Sequence, residues 1–113
     1  MIKLPTPIRP LLALAAMAAV ALGASACGTS TADVENGRIL FIERCGTCHT
    51  LAEAGTTATV GPNLDDLRPP QSLVLNAIAQ GRARGVGRMP AALLQGQDAQ
   101  DVAAYVSKVA GRQ

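Results

Sequence analysis

Apolar residues concentrate in four stretches of the chain, and their spacing differs from one stretch to the next. Residues 11–22 form an unbroken apolar run, whereas the other three stretches mix apolar and polar positions. In residues 98–110 the apolar positions recur every three or four residues, which is the repeat of one helix face. The pattern predicts an apolar leader followed by a small domain of three or four helices.

The first predicted helix opens at Asp33, because aspartate is a good N-cap and its charge suits the positive end of the helix dipole. Gly37 lies inside this helix, where glycine costs about 1 kcal/mol relative to alanine. A glycine at this position lets another backbone come close. Phe41 follows four residues later and therefore shares a helix face with Gly37.

Two further helices are predicted toward the C-terminus. One covers residues 72–80, with Ser72 as a possible cap, Pro69 and Pro70 at its entry and Gly81 at its end. Its inward residues are expected to be Leu73, Ala77 and Ile78. The last helix covers residues 98–110, and its apolar stripe consists of Val102, Tyr105, Val106 and Val109.

The segment between the first two helices has no helical or strand period. Residues 52–60 are therefore predicted to form a surface loop. No part of the chain alternates as a half-buried strand does, so the predicted fold class is all-α.

The leader has the layout of a secretory signal peptide. Lys3 and Arg9 precede the apolar run, which is shorter than the roughly 20 residues that span a bilayer. Small residues at positions 24–26 offer a cleavage site, and Cys27 comes next. This end of the signal resembles that of bacterial lipoproteins, in which the cysteine becomes the lipidated first residue. Ordinary cleavage after Ala26, which would leave a free thiol, is one alternative, and an uncleaved membrane anchor is the other.

These features divide the chain into three parts. We predict a signal peptide over residues 1–26, a lipid-anchor cysteine with a flexible tether over 27–32, and one domain over 33–113. Without Lys3 and Arg9, the mature chain has eight basic and eight acidic residues. This charge balance gives nucleic-acid binding no electrostatic support. The protein is expected to be a monomer.

The domain is poor in large apolar rings. Phe41 and Tyr105 are its aromatic residues, since the chain has one Phe, one Tyr and no Trp. A domain of this size usually needs a further stabilising group such as a disulfide, a metal or a cofactor. A large, flat, apolar cofactor would serve that need.

The sequence Cys45-Gly46-Thr47-Cys48-His49 indicates which cofactor this is. Two cysteines three apart, followed at once by histidine, form the attachment signature of c-type haem. The thiols of Cys45 and Cys48 form thioethers with the haem, and His49 is placed to bind its iron. A dithiol redox site is an alternative, but that motif usually accompanies a βαβ pattern. A zinc site is weaker still, because adjacent Cys48 and His49 suit tetrahedral closure poorly.

Elimination suggests the second iron ligand. His49 is the chain's single histidine, and of its three methionines Met1 and Met17 leave with the signal peptide. Met89 remains, between a glycine-rich loop and Pro90, and a thioether ligand favours ferrous iron. Met89 as a core gap-filler is the alternative. The rigid carbonyl of Pro62 can accept the Nδ1–H of an iron-bound histidine, and a simple turn is the equal alternative there.

From Asp33 to Ala110 the chain resembles a class I cytochrome c, the monohaem, low-spin class, in its small bacterial form. The matching features, in order, are Gly37 with Phe41, Cys45-x-x-Cys48-His49, Gly61-Pro62-Asn63-Leu64, Met89-Pro90 and Tyr105. The resemblance implies a small cytochrome c fold wrapped round one covalent haem, with the first and last helices crossing at Gly37 and Phe41 packed on Tyr105. It also implies that Pro62 accepts a hydrogen bond from His49 and that Met89 binds the opposite face of the iron.

The predicted function is that of a one-electron carrier with haem c and iron, and not an enzyme. A haem subunit dedicated to one dehydrogenase or oxidase is the second hypothesis. The expected partners of the protein are redox proteins that donate and accept electrons. It is also expected to bind the membrane through a lipid on Cys27. The protein is expected in the periplasm or on the outer face of the cytoplasmic membrane. Three arginines near Met89 could pair with haem propionates, dock an acidic partner or be merely solvated, namely Arg82, Arg84 and Arg88.

Overall fold

The computed structural model describes residues 31–83 and 87–112. Its elements in chain order are α1 (Val34–Arg44), β1 (Thr50–Leu51), β2 (Thr56–Thr57), α2 (Leu64–Leu67), α3 (Gln71–Gln80) and α4 (Gly96–Val109). The fold is mostly helical, and the predicted all-α class is confirmed apart from one two-stranded sheet. Among the described residues, no helix has the length and apolar character needed to cross a membrane.

Helices α1 and α4 cross at Gly37. A Cβ atom built on Gly37 would overlap the backbone oxygen of Asp101 and lie 2.6 Å from its carbonyl carbon. One turn further along α1, the ring of Phe41 packs against that of Tyr105, with the centroids 5.9 Å apart and the planes tilted by 58°. The missing side chain at position 37 therefore lets the two helix backbones come into direct contact.

Asp101 fastens this crossing with hydrogen bonds. Its buried carboxylate accepts the backbone N–H of Asp33 at 2.8 Å, Nδ2 of Asn36 at 2.8 Å and Nε2 of Gln97 at 2.7 Å. Burial alone would raise the pKa of Asp101, but the three donors outweigh it and hold the pKa below its usual value. The start of α1 is thereby tied to the first turns of α4.

Helix α3 packs against α4 and contributes to the same core. It begins at Gln71 with Pro70 as N-cap, so Ser72 lies within the first turn and does not cap the helix. Ile78 is buried and Ala77 half-buried, as expected, but Leu73 is 39% exposed, and its predicted inward position is wrong. Leu73 and Ile78 are five residues apart and cannot share a helix face, whereas Val74 lies four residues before Ile78 and packs against the core.

The segment predicted as a loop contains ordered structure. Strands β1 and β2 pair antiparallel, with Thr50 opposite Thr57 and Leu51 opposite Thr56. A 3₁₀ turn, Ala52–Ala54, joins them, and Leu51 is completely buried. Residues 52–60 are mostly exposed, as predicted, but the prediction of a loop is wrong for the 3₁₀ turn and β2. A strand of two residues is too short to show a period of two.

Helix α4 matches its prediction closely. It starts at Gly96, two residues before the predicted start, and Ala110 is its C-cap. Three members of the predicted stripe are buried, namely Val102, Tyr105 and Val106. Val109 is half-buried and packs on the core cluster. The helix is followed by Gly111, whose φ of +69° is the left-handed conformation that glycine adopts easily.

Candidate haem-binding site

The two predicted attachment cysteines lie in a tight turn at the end of α1. Cys45 is the C-cap of α1, and its backbone N–H donates to the carbonyl oxygen of Phe41 at 2.8 Å. The backbone N–H groups of Cys48 and His49 both donate to the carbonyl oxygen of Cys45 at 3.0 Å. The turn is therefore continuous with α1, so the α1–α4 packing fixes where the two thiols and the imidazole stand.

The two thiols differ in environment. They are not joined in a disulfide, and Cys45 is buried while Cys48 is exposed. Burial, with a smaller contribution from Cys48, raises the pKa of Cys45 to about 11. The side chain of Cys45 thus lies against the apolar core, and that of Cys48 lies at the surface.

The imidazole of His49 is held by backbone on two sides. Its Nδ1 lies 2.8 Å from the carbonyl oxygen of Pro62. A Cβ atom at Gly61 would lie 2.6 Å from Cε1 of the ring, so only glycine leaves room for the imidazole. The N–H of Gly61 donates to the carbonyl oxygen of Cys48 at 2.7 Å, which joins this segment to the cysteine turn.

This contact decides which ring nitrogen can act as a ligand. A carbonyl oxygen accepts only from N–H, so the bond to Pro62 requires the proton on Nδ1. The lone pair is then on Nε2, which has no hydrogen-bond partner in the part of the chain that the structure describes. The half-buried His49 ring therefore presents one oriented, basic nitrogen.

Asp65 connects the segment after Pro62 to two other parts of the chain by hydrogen bonds. One carboxylate oxygen of Asp65 accepts the N–H of Ala52 at 2.8 Å, and the other accepts the N–H of Gly111 at 2.9 Å. Asn63 caps α2 by accepting the N–H of Asp65 at 2.9 Å. Asp65 therefore joins α2, the 3₁₀ turn and the chain after α4, a role that the sequence did not reveal because these segments are far apart in the chain.

Met89 lies beside the C-terminal end of α3. Its side chain is half-buried and packs against the apolar core cluster. Its backbone forms an isolated antiparallel bridge with Arg82. The N–H of Met89 donates to the carbonyl oxygen of Arg82 at 2.8 Å, and the carbonyl oxygen of Met89 accepts the N–H of Arg82 at 3.0 Å. The Met89 backbone is thus fixed, and its thioether lies at an apolar surface.

The three predicted arginines and Cys27 have different outcomes. Arg82 is engaged with its own segment through bonds to the carbonyl oxygen of Gly81 and to Oδ1 of Asn76. Arg88 is exposed and has no hydrogen bond or ion pair among the described residues. Arg84 and Cys27 lie outside the described residues.

Tyr105 has a polar contact as well as its packing on Phe41. Its hydroxyl donates to Oε2 of Glu53, and Oε1 of Glu53 lies 3.4 Å from Nε of Arg38. Burial first, and then the bond to Glu53, raise the pKa of Tyr105. Tyr105 therefore links α4 to the 3₁₀ turn and, through Arg38, to α1.

The donor set fits haem c. Two unpaired thiols stand in one turn beside an imidazole whose free nitrogen is oriented, and the chain supplies a thioether at the edge of an apolar core. A closed metal site has less support, because residues 31–83 and 87–112 contain no group of three or more His, Cys, Asp and Glu side chains able to hold a metal ion. The residues therefore suit a covalently held apolar cofactor better than a zinc ion.

Comparison with known proteins agrees with this fit. Residues 32–106, more than half of the chain, match the family model described as "Cytochrome C oxidase, cbb3-type, subunit III". The c-type cytochrome SorU from Sinorhizobium meliloti has a similar crystal structure, with 43% sequence identity and a TM-score of 0.60. The alignment covers 69% of this chain and 91% of SorU. The chain therefore belongs to the cytochrome c family and carries covalently bound haem c with its iron.

Proposed function

We propose that the protein is a one-electron carrier whose haem iron is bound by His49 on one face and Met89 on the other. The contact between Nδ1 of His49 and the carbonyl oxygen of Pro62, at 2.8 Å, carries this proposal. It leaves Nε2 as the free nitrogen and sets the ring orientation, as an axial ligand requires. Cys45 and Cys48 are the proposed points of covalent attachment.

The proposed ligand pair explains why the chemistry is electron transfer. The haem iron supplies a ferric–ferrous couple. His49 and Met89 would fill both axial positions, so no position stays open for substrate and the protein does not act as an enzyme. The soft thioether of Met89 stabilises the ferrous state and raises the reduction potential. The remaining residues bury the cofactor and fix its ligands.

The function is tested by a reduced-minus-oxidised absorption spectrum and a mass of the exported protein. We expect a low-spin haem c spectrum in both states and a polypeptide mass increased by one haem. The absorbance should remain with the polypeptide after acid–acetone extraction, because two thioether bonds hold the haem. An exported, fully processed protein without haem absorbance would refute the proposal.

A haem subunit dedicated to one oxidoreductase is the second candidate. The matched family model is named for a subunit of an oxidase, which favours this possibility over a freely diffusing shuttle. The two candidates share all the proposed site residues and differ only in the partner. Affinity purification from membranes solubilised in mild detergent separates them: a fixed partner appears at one-to-one stoichiometry, whereas a shuttle is recovered alone.

A dithiol redox protein has less physical support. Reactive thiols of such proteins have a lowered pKa. Burial instead raises the pKa of Cys45 to about 11, a shift opposite to the one that thiol–disulfide exchange uses. No βαβ unit occurs in the described ranges 31–83 and 87–112.

The proposed location is outside the cytoplasm, in the periplasm or on the outer face of the cytoplasmic membrane. The apolar run over residues 11–22 and the small residues at positions 24–26 support export and cleavage. We propose a lipid on Cys27, a tether over residues 27–32 and a monomeric domain over residues 33–113. The lipid would hold the carrier at the membrane, where its redox partners act.

Replacing Cys27 by serine tests the lipid. We expect metabolic labelling with a fatty acid to be lost in Cys27→Ser while the haem content per polypeptide stays the same. Serine keeps the size and polarity of the position, so loss of label reports the thiol itself. Label that persists in Cys27→Ser would exclude Cys27 as the acceptor and favour ordinary cleavage after Ala26.

A further inference from the structure

We propose that Arg82 is a positioning residue for Met89, and that it acts through a side-chain bond to Asn76 on α3. The inference rests on the proposed function, since it assigns Arg82 a role in holding the proposed axial ligand. It replaces the three roles that the sequence left open for this arginine. Three sets of contacts carry it.

The first set joins the backbones of residues 82 and 89. Both bonds of the antiparallel bridge are present, at 3.0 Å from the N–H of Arg82 to the oxygen of Met89 and at 2.8 Å in the reverse direction. A bridge of this kind fixes the backbone of Met89 relative to Arg82. Where Arg82 is held, Met89 is therefore held too.

The second set fastens Arg82 to the end of α3. Its Nη2 donates to Oδ1 of Asn76 at 2.9 Å, and its Nη1 donates to the carbonyl oxygen of Gly81 at 2.8 Å. The planar guanidinium thus spans two acceptors in a fixed arrangement, which a lysine ammonium does not reproduce. The positive charge also lies near the C-terminal end of α3, where the helix dipole favours it.

The third set shows how closely this segment fits α3. Gly81 has a φ of +70°, and a Cβ atom there would lie 2.5 Å from the carbonyl oxygen of Met89. Beyond Met89, the N–H of Ala92 donates to the carbonyl oxygen of Ala79 at 3.2 Å. Met89 is therefore hydrogen-bonded to Arg82, and the chain after it is hydrogen-bonded to α3. The Arg82–Asn76 bond is the side-chain part of this attachment.

Imidazole binding to the ferric holoprotein tests the role of Arg82. An added ligand can bind only after Met89 leaves the iron, so the binding rate reports how firmly Met89 is held. We expect Arg82→Gln and Asn76→Ala each to raise the imidazole binding rate about threefold to tenfold, the range for one lost hydrogen bond. Haem content per polypeptide should stay the same in both variants.

Arg88→Gln is the matched control. It removes the same charge from the residue next to Met89, but Arg88 is exposed and has no bond to lose among the described residues. Loss of either positive charge can lower the reduction potential. The imidazole rate should rise in Arg82→Gln and Asn76→Ala but not in Arg88→Gln. Arg82→Lys keeps the charge without the planar fork, so we expect it to resemble Arg82→Gln.

The possible outcomes separate this inference from the proposed function. If Arg82→Gln and Asn76→Ala bind imidazole at the rate of Arg88→Gln, while Met89→Ala opens the iron, Arg82 does not position Met89. If Met89→Ala itself leaves the iron ligation unchanged, the proposed ligand assignment fails first. If Arg82→Lys restores the original rate, charge rather than the bond to Asn76 is responsible, and the inference is overturned. Asn76→Ala keeps all charges, so it tests the bond even if Arg82→Gln matures poorly.

Discussion

Replacing Met89 by alanine is expected to leave the haem attached and to open one coordination position on the iron. The proposed thioether bonds to Cys45 and Cys48 do not involve Met89, so haem content should be unchanged. Without the soft thioether, the ferrous state loses its preferential stabilisation. The reduction potential should therefore fall, on the order of 0.1 V or more. The ferric spectrum should become high-spin, and imidazole or cyanide should bind without a preceding ligand-dissociation step.

The control for Met89→Ala is Leu94→Ala. Leu94 is also half-buried and also packs on the core cluster, but its side chain has no atom that can bind iron. Leu94→Ala should lower stability by about 2 kcal/mol through lost packing while the iron stays low-spin. If Met89→Ala behaves like Leu94→Ala, with unchanged spin state and potential, Met89 is a packing residue and the ligand assignment is wrong.

The parts of this fold that depend on local sequence could be predicted. The Cys45-x-x-Cys48-His49 motif is contiguous, so its chemistry is visible without knowledge of the fold. Asp33 caps α1 through its own neighbours, accepting the N–H groups of Glu35 and Asn36 at 3.0 Å. The stripe of α4 is long enough for its period to be counted, and three of its four members are buried.

The parts that depend on distant segments could not be predicted. Asp101 carries no mark of burial in the sequence, because its Asn36 and Asp33 donors are 65 and 68 residues away. Asp65 accepts an N–H from Gly111, 46 residues later, and in the sequence alone it resembles a surface charge. A polar side chain can be buried when the fold brings hydrogen-bond donors to it. The local sequence pattern does not show which distant segments will supply those donors.

Gly37 lies between these two cases. Its place inside a helix indicates that another backbone comes close, but the sequence alone does not identify that backbone. The structure identifies Asp101, whose carboxylate is fixed by three donors while its backbone oxygen touches Gly37. One short stretch of α4 therefore contacts α1 by close packing and by hydrogen bonds at once, so α4 cannot move away from a larger residue at position 37 without straining those bonds.

Gly37→Ala is accordingly expected to destabilise the protein, although alanine is the better helix former. Helix propensity favours the change by about 1 kcal/mol. Against this, the new Cβ would overlap the Asp101 backbone oxygen and lie 2.8 Å from Cβ of Tyr105. Neither atom is the end of a flexible side chain, so the overpacking cost should be at or above the upper end of its usual range of about 1–3 kcal/mol. We expect a net loss of about 2 kcal/mol or more in the free energy of unfolding, measured by denaturant titration of the holoprotein.

Gly55→Ala is the control that separates overlap from the general effect of adding a methyl group. Gly55 has a φ of +70°, and a Cβ atom there would have no neighbour within 4 Å. Its replacement should cost about 1 kcal/mol, from the left-handed backbone alone. A Gly37→Ala protein as stable as the wild type would mean that α1 and α4 can separate at little cost. In that case neither the close backbone contact nor the Asp101 hydrogen bonds would fix the distance between the two helices.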